Sequence, residues 1–165
     1  MFKVGDNIFY PLHGAGTIES IEEKNILGEN KKYYVMKMPI GDVKVMVPTD
    51  NAEHIGVRSL ASKDTVDKVF KVFDTTFEEE KVSWSKRYKD NMEKMKTGDL
   101  VEIADVVRSL SFKQKEKGLS TSEKKMLNNA KQILVSELVL TDHKNKQEIE
   151  ELISEKLEAT FESMI

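Results

Sequence analysis

The chain has 165 residues, of which 39% are apolar and 33% charged, and its net charge is −3. This length and apolar content suffice for one ordinary domain or two small ones with a buried core, which argues against disorder. Without cysteine the chain forms no disulfide and offers no thiolate, and without a signal-peptide core or membrane span we expect a cytoplasmic protein.

The first part of the chain, residues 1–58, reads as β structure. Short segments with strand character lie at 7–10, 17–21, 32–38 and 43–47, and turns rich in glycine, proline and asparagine separate them. Four or five strands of this length cannot bury a flat two-layer core. We therefore predict a small SH3-like or Tudor-like β barrel over residues 1–58.

Several methionines fall on the predicted strands of this barrel. Between residues 43 and 47 the valines share one face, which leaves Lys44 and Met46 on the other. With Met36 and Met38, this face would form a soft, adaptable surface for a partner. The spacing is equally compatible with methionines that fill the seam against a second domain.

Beyond residue 58 the apolar period changes from 2 to about 3.6, which predicts an all-α domain over residues 59–165 with about five helices. The complete chain is therefore expected to be a two-domain α+β protein. Helix caps and ends are indicated at Ser62 or Asp64, Ser83, Gly98, Asp99, and Ser120 with Glu123 three residues on. The last helix, near the C-terminus, has an acidic outer face.

The second predicted helix begins with Ser83 as its cap and carries the sole tryptophan, Trp84, in its first turn. A side chain at this position is easily left protruding, and an indole beside cations could wedge into a nucleic-acid groove. Alternatively, Trp84 continues the apolar stripe of Tyr88 and Met92 into the core. Spacing alone favours the core, because a tryptophan at helical spacing is usually buried.

The positive charge of the chain is concentrated in this region. Residues 84–131 hold twelve Lys/Arg against seven Asp/Glu, whereas residues 1–58 hold seven against eight. A local basic field permits one surface to contact nucleic acid even in a mildly acidic protein. A charged helical face can equally be only solvated.

No constellation of catalytic residues can be assembled from the sequence. His13, His54 and His143 lack the spacing of metal ligands, so we expect no metal site. The glycines of segment 14–16 match neither a phosphate loop nor a dinucleotide fingerprint and indicate a tight hairpin. We predict a protein that is not an enzyme and needs no cofactor.

In order along the chain, these features closely resemble the CarD/CdnL family of bacterial transcription regulators. The matching segments are Phe2-Lys3-Val4-Gly5-Asp6, Tyr10-Pro11-Leu12-His13-Gly14, Asn51-Ala52-Glu53, Gly56-Val57-Arg58, Trp84-Ser85-Lys86-Arg87-Tyr88, Val106-Val107-Arg108-Ser109-Leu110, Gly118-Leu119-Ser120 and Glu123-Lys124-Lys125-Met126-Leu127. They extend over essentially the whole chain.

The resemblance implies that the barrel binds the β subunit of RNA polymerase, a contact shared with the corresponding module of the transcription-repair coupling factor. One strand edge of the barrel would lie against a β-subunit strand. On this basis the expected polymerase-binding residues are Lys24, Met36, Met46 and Pro48.

The resemblance also implies that the helical domain contacts promoter DNA just upstream of the −10 element. Trp84 would act as a wedge in the minor groove at the edge of the melted bubble and so stabilise the open complex. The expected phosphate contacts are Lys86, Arg87 and Lys89, with Lys124 and Lys125 as further candidates.

Three classes of function are conceivable for such a chain. The resemblance favours a polymerase-bound regulator that is associated with the nucleoid through the polymerase. Nothing in the sequence demands a dimer, so we expect a monomer. The alternative is a protein-interaction adaptor of the transcription machinery that does not touch DNA, in which Trp84 is a core residue. An enzyme would require a convergent polar pocket that the sequence does not indicate.

Overall fold

The computed structural model describes residues 1–164, which form a five-stranded antiparallel sheet followed by five helices. The strands are β1 (Asn7–Tyr10), β2 (Gly14–Ile26), β3 (Glu29–Lys37), β4 (Lys44–Pro48) and β5 (Arg58–Ser59), in the spatial order β4-β3-β2-β1-β5. The helices are α1 (Lys63–Asp74), α2 (Trp84–Lys96), α3 (Leu100–Glu116), α4 (Thr121–Asp142) and α5 (Lys146–Ser163). The predicted two-domain α+β fold is confirmed.

The sheet curls around its own small core. Side chains from β1 to β4 and from the loop before β5 form one apolar cluster, composed of Ile8, Ile18, Tyr34, Met36, Val47, Ala52 and Val57. A shift of register in β2 between Ile18 and Ser20 bends the long β2–β3 hairpin, as bulges do in strongly coiled sheets. Beyond this bend the hairpin extends outward to Leu27, which is completely exposed.

Four of the five helices begin at caps that the sequence predicts. Ser62, Ser83, Asp99 and Ser120 each cap one helix by accepting a hydrogen bond from a backbone N–H in its first turn. Gly98 follows α2 with a φ of 72°, the left-handed conformation that glycine adopts without strain. The cap of α5 was not predicted. It is Asn145, which forms a complete capping box with Glu148.

The sheet and the helices share buried contacts. Phe9 and Ala15, on two barrel strands, belong to the same apolar cluster as the interior residues of α1, α3, α4 and α5. The backbone N–H of Ala15 donates to the Ser136 hydroxyl on α4 at 2.9 Å. A Cβ at Gly14 would lie only 2.7 Å from that same hydroxyl oxygen, so glycine permits the close approach of β2 to α4.

A partly buried ion pair also joins the two domains. Arg58 on β5 donates to both carboxylate oxygens of Glu137 on α4, at 2.8 and 2.9 Å, and to the carbonyl of Gly98 between α2 and α3. The Ala61 backbone N–H completes the coordination of Glu137. Strand β5 extends from Arg58 to Ser59 and so lies across the predicted division between residues 1–58 and 59–165. The exact position of the domain boundary stays a prediction.

No helix in residues 1–164 is long and apolar enough to cross a membrane.

Candidate nucleic-acid interface

Trp84 lies at the surface where α2 meets the beginning of α4. Its side chain is 44% exposed, and its ring stacks on Tyr88 with the centroids 5.2 Å apart and the planes inclined by 16°. Its indole N–H donates to the Ser120 hydroxyl at 3.2 Å and to Glu123 Oε1 at 3.1 Å. The stripe of Tyr88, Met92 and Met95 packs against the helical core, whereas Trp84 does not belong to that core. The indole is thus ordered and half exposed.

Glu123 is the centre of the contacts around this indole. It is 1% exposed, and its carboxylate accepts hydrogen bonds from Trp84 and from Arg87, whose Nε lies 2.9 Å from Oε2. Burial alone would raise the pKa of Glu123. The hydrogen bonds and positive charge of Arg87, with smaller contributions from Ser120 and Trp84, more than offset burial and lower the pKa below its ordinary value. Glu123 is therefore ionised near neutral pH.

The predicted capping box of α4 is only half formed. Ser120 caps the helix through the backbone N–H of Glu123, and the Glu123 carboxylate lies 3.4 Å from the Ser120 hydroxyl while it also accepts hydrogen bonds from α2. The sequence spacing that signals a capping box therefore marks here the contact between two helices. We refer to Trp84, Arg87, Tyr88, Ser120 and Glu123 as the tryptophan cluster.

The predicted phosphate-binding residues fall into two groups. Arg87 is mostly buried and paired with Glu123, and Lys86 is paired with Asp90 at 2.8 Å, whose hydrogen bond raises the pKa of Lys86. Lys89, Lys124 and Lys125 are exposed, and within residues 1–164 they form no salt bridge. These three lysines project from α2 and from the first turns of α4, the two helices that hold Trp84.

Three of the four predicted polymerase-binding residues share the outer face of the barrel. Glu22, Tyr33 and Pro48 lie opposite one another in the register of β2, β3 and β4. Residues two apart on a strand point to the same side, so Lys24 and Met46 share the side of Pro48. Met46 is 37% exposed and Lys24 is exposed near the hairpin tip.

Met36 does not lie on this outer face, contrary to the prediction that it is a polymerase-binding residue there. It pairs with Val45, one residue out of step with Met46, and it therefore points into the barrel core with no exposed surface. A side chain in that position cannot contact a partner directly. The valines do alternate as the sequence indicates, but their register against β3 places Met36 on the valine side.

Strand β4 lies at the end of the sheet. In the described part of the chain it pairs with β3 alone, so the backbone groups along its other side have no strand partner. An unpaired edge of this kind can accept an additional strand. Met46 and Pro48 belong to this edge strand, whereas Lys24 lies two strands away.

The described residues contain no group of three His, Asp or Glu side chains that could hold a metal ion. The residues that sequence reasoning did not assign to a site are Glu123 and the pair Arg58 and Glu137. The sequence signals for Glu123 were its capping-box spacing from Ser120 and its place in a matching segment, and neither indicated a contact with α2. Nothing in the sequence pairs Arg58 with a residue 79 positions later.

Two family models match the chain, one on each side of the junction. Residues 2–61 match the CarD-like/TRCF RID domain, and residues 68–154 match the CarD C-terminal domain. The chain belongs to the CarD family. A protein of Bacillus subtilis (strain 168) named "Putative transcription factor YdeB" is 45% identical over 138 residues, which cover 84% of this chain and 90% of that protein. The chain is thus a CarD-like transcription regulator. The family names and the name of the Bacillus subtilis relative point to a transcription factor rather than to an enzyme.

Proposed function

We propose that this CarD-family protein binds the β subunit of RNA polymerase through its barrel and promoter DNA upstream of the −10 element through its helical domain, stabilising the open complex. The observation that carries the proposal is the half-exposed indole of Trp84, held between two helices on which the exposed Lys89, Lys124 and Lys125 form no salt bridge within residues 1–164. The protein acts as a monomer, in the cytoplasm, where polymerase holds it on the nucleoid.

The wedge follows from the physics of a melted base step. Opening a step costs a few kcal/mol of unstacking, and an apolar ring inserted there in the minor groove offsets part of this cost without reading sequence. Trp84 offers an indole that is already ordered and needs little rearrangement. A factor of this kind opposes collapse of the bubble on any promoter where it is recruited.

The lysines around Trp84 supply the phosphate contacts. Lys89, Lys124 and Lys125 are exposed and without salt bridges in the described part of the chain, so they can approach a DNA backbone without first breaking an ion pair. Lys86 can contribute after exchanging Asp90 for a phosphate. Because few cations take part, binding to free DNA is weak and sensitive to salt, and recruitment depends on the polymerase.

The barrel supplies that recruitment. The free edge of β4 is suited to pairing with a strand of the β subunit, in which main-chain hydrogen bonds provide affinity. Met46 and Pro48 then meet the partner beside the new strand, and Lys24 makes a peripheral contact from the β2–β3 hairpin. The exposed thioether of Met46 favours an apolar contact.

The proposal is tested by the lifetime of competitor-challenged open complexes formed by a CarD-dependent polymerase with and without the full-length protein. We expect the protein to prolong the lifetime and Met46→Glu to abolish both polymerase binding and the effect, while the distant Lys63→Glu on α1 leaves both unchanged. Polymerase binding without any change in lifetime would support an adaptor that does not touch DNA. The ion pairs of Lys86 with Asp90 and of Arg87 with Glu123 favour this alternative, because they occupy two cations that were expected to contact phosphates.

A further inference from the structure

The carboxylate of Glu123 is not required to begin α4. The Ser120 hydroxyl already caps the helix, and the Glu123 carboxylate, which lies 3.4 Å from that hydroxyl, also contacts α2. At the same position of α5, Glu148 reaches back to the backbone N–H of Asn145 in the ordinary manner. Glu123 is also 1% exposed, so its charge is retained in the interior at a desolvation cost. Such a group calls for a role beyond helix capping.

The contacts of Glu123 are those that would fix an indole. Oε1 accepts from the Trp84 N–H at 3.1 Å, and Arg87 holds the carboxylate through bonds of 2.9 and 3.3 Å. Tyr88 supports one face of the ring by stacking. A tryptophan in the first turn of a helix has few neighbours in its own helix, and without these contacts it would sample several rotamers. Ordering it on DNA would then reduce affinity.

We infer that Glu123 is a positioning residue for Trp84, and that Arg87 holds Glu123 in place rather than contacting a DNA phosphate. The inference rests on the proposed function. In this arrangement the indole N–H points inward to Glu123 and part of the ring remains exposed. The indole of Trp84 is therefore already oriented as a wedge before the protein contacts DNA.

The ion pair also has an electrostatic consequence for DNA binding. A lone carboxylate beside Trp84 would repel phosphates, but the bidentate guanidinium neutralises it. The exposed Lys89, Lys124 and Lys125, which lie on the same two helices, form no salt bridge within residues 1–164. Replacing Arg87 would therefore weaken DNA binding indirectly, by freeing Glu123 and loosening the indole.

The inference is tested first on the free, full-length protein. Trp84 is the sole tryptophan, so its fluorescence anisotropy and acrylamide quenching report on this one side chain. We expect Glu123→Ala to lower the anisotropy and increase quenching. Glu123→Gln should preserve more of the wild-type signal, since its amide oxygen can still accept from the indole. Glu148→Ala is the matched control, because it removes the equivalent carboxylate of α5, and it should change neither signal.

The second test is a double-mutant cycle on the open-complex lifetime. We expect Glu123→Ala to shorten the lifetime by about three- to tenfold, the factor given by removal of one hydrogen bond of ordinary strength. In the Trp84→Ala background the same change should have no further effect, because its action requires the indole. Melting curves establish that each variant is folded. If Glu123→Ala does not fold, Glu123→Met takes its place, because it keeps much of the side-chain volume without an acceptor for the indole N–H.

Two results would overturn the inference. Unchanged Trp84 anisotropy and quenching in Glu123→Ala would show that the indole is positioned without the carboxylate. An equal loss of lifetime in the wild-type and Trp84→Ala backgrounds would show that Glu123 acts independently of Trp84. If the wild-type protein leaves the lifetime unchanged, the proposed function fails, and the fluorescence experiment still decides whether Glu123 positions the indole.

Discussion

Arg58 donates two hydrogen bonds to Glu137 across the junction between the barrel and the helical domain, at 2.8 and 2.9 Å. Glu137 has no exposed surface, and Arg58 also lies over the ring of Phe9, with its guanidinium carbon 4.1 Å from the ring centroid. One side chain thus contacts β1, α4 and, through the Gly98 carbonyl, the turn between α2 and α3. Arg58 therefore links the barrel to two parts of the helical domain, α4 and the turn before α3.

We expect Arg58→Ala to destabilise the protein by about 3–5 kcal/mol, because it leaves the buried carboxylate of Glu137 without its cation. Arg58→Lys should be intermediate, since lysine keeps the charge but not the two-pronged geometry. Urea unfolding of the full chain measures both changes. Lys44→Ala is the control, because it removes an exposed pair with Glu19 and should cost no more than about 1 kcal/mol. Equal losses of stability for Arg58→Ala and Lys44→Ala would contradict this expectation.

Met36 and Met46 should behave oppositely although both lie on neighbouring strands of the barrel. Met36→Ala removes a fully buried side chain and should cost about 2–5 kcal/mol of stability. Met46→Ala removes a partly exposed side chain and should change stability by about 1 kcal/mol or less while weakening binding to the polymerase β subunit. Urea unfolding and a binding titration separate the two effects. Unimpaired polymerase binding by Met46→Ala would remove this residue from the proposed interface.

Stability should depend on pH through Glu123. Its pKa is lowered in the folded protein from an ordinary value of 4.5: burial raises it, and Arg87 more than offsets burial. Between the folded pKa and 4.5 the unfolded chain therefore binds more protons. The stabilisation is fully present above the unfolded pKa and is lost as the pH falls through the folded value.

We accordingly expect the difference in unfolding free energy between wild type and Glu123→Gln to be constant above about pH 5.5 and to shrink on acidification below about pH 4. Urea unfolding at a series of pH values measures it, with Glu148→Gln as the control at the same helix position in α5. A difference that grows on acidification would have the wrong sign.

The exposed lysines should be distinguishable from Arg87 by the salt dependence of DNA binding. Lys124→Ala and Lys125→Ala should each remove one phosphate interaction and so reduce the slope of log K against log salt by about 1, with little change in stability. Fluorescence titration with a fork-junction promoter fragment at several salt concentrations gives the slope. Lys63→Ala and Lys68→Ala on α1 are matched controls. An unchanged slope in both Lys124 and Lys125 variants would exclude those residues from phosphate binding.

Local features of this chain could be predicted from sequence because they depend on neighbours a few residues away. Ser62, Ser83, Asp99 and Ser120 are caps because a short polar side chain reaches the first helical turn. Strand faces were more difficult to predict. The valines of 43–47 alternate clearly, but only the register with β3 determines that Met36 points inward.

The candidate site could be located from sequence, but the pairing of its side chains could not. Trp84 and the surrounding cations stand out as a segment, whereas the partner of Arg87 lies 36 residues away on another helix. Spacing assigned Glu123 to a capping box, but it gave no indication of the contacts that the same carboxylate makes with α2. Long-range ion pairs such as Arg58 with Glu137 have no periodic signature, so the structure was needed to find them.

The most direct test of the central claim is the lifetime of open promoter complexes at saturating factor, compared for wild type, Trp84→Phe and Trp84→Ala. Because Trp84 is half exposed, we expect Trp84→Ala to cost about 2 kcal/mol of stability or less, well below the roughly 3–5 kcal/mol of a fully buried aromatic residue such as Phe73. With the folded Trp84→Ala variant the lifetime should be shorter than with wild type by about fivefold or more, the effect expected from the loss of one stacked ring. Trp84→Phe should give an intermediate lifetime. A folded, polymerase-bound Trp84→Ala protein that prolongs the lifetime as wild type does would contradict the proposed role of the indole.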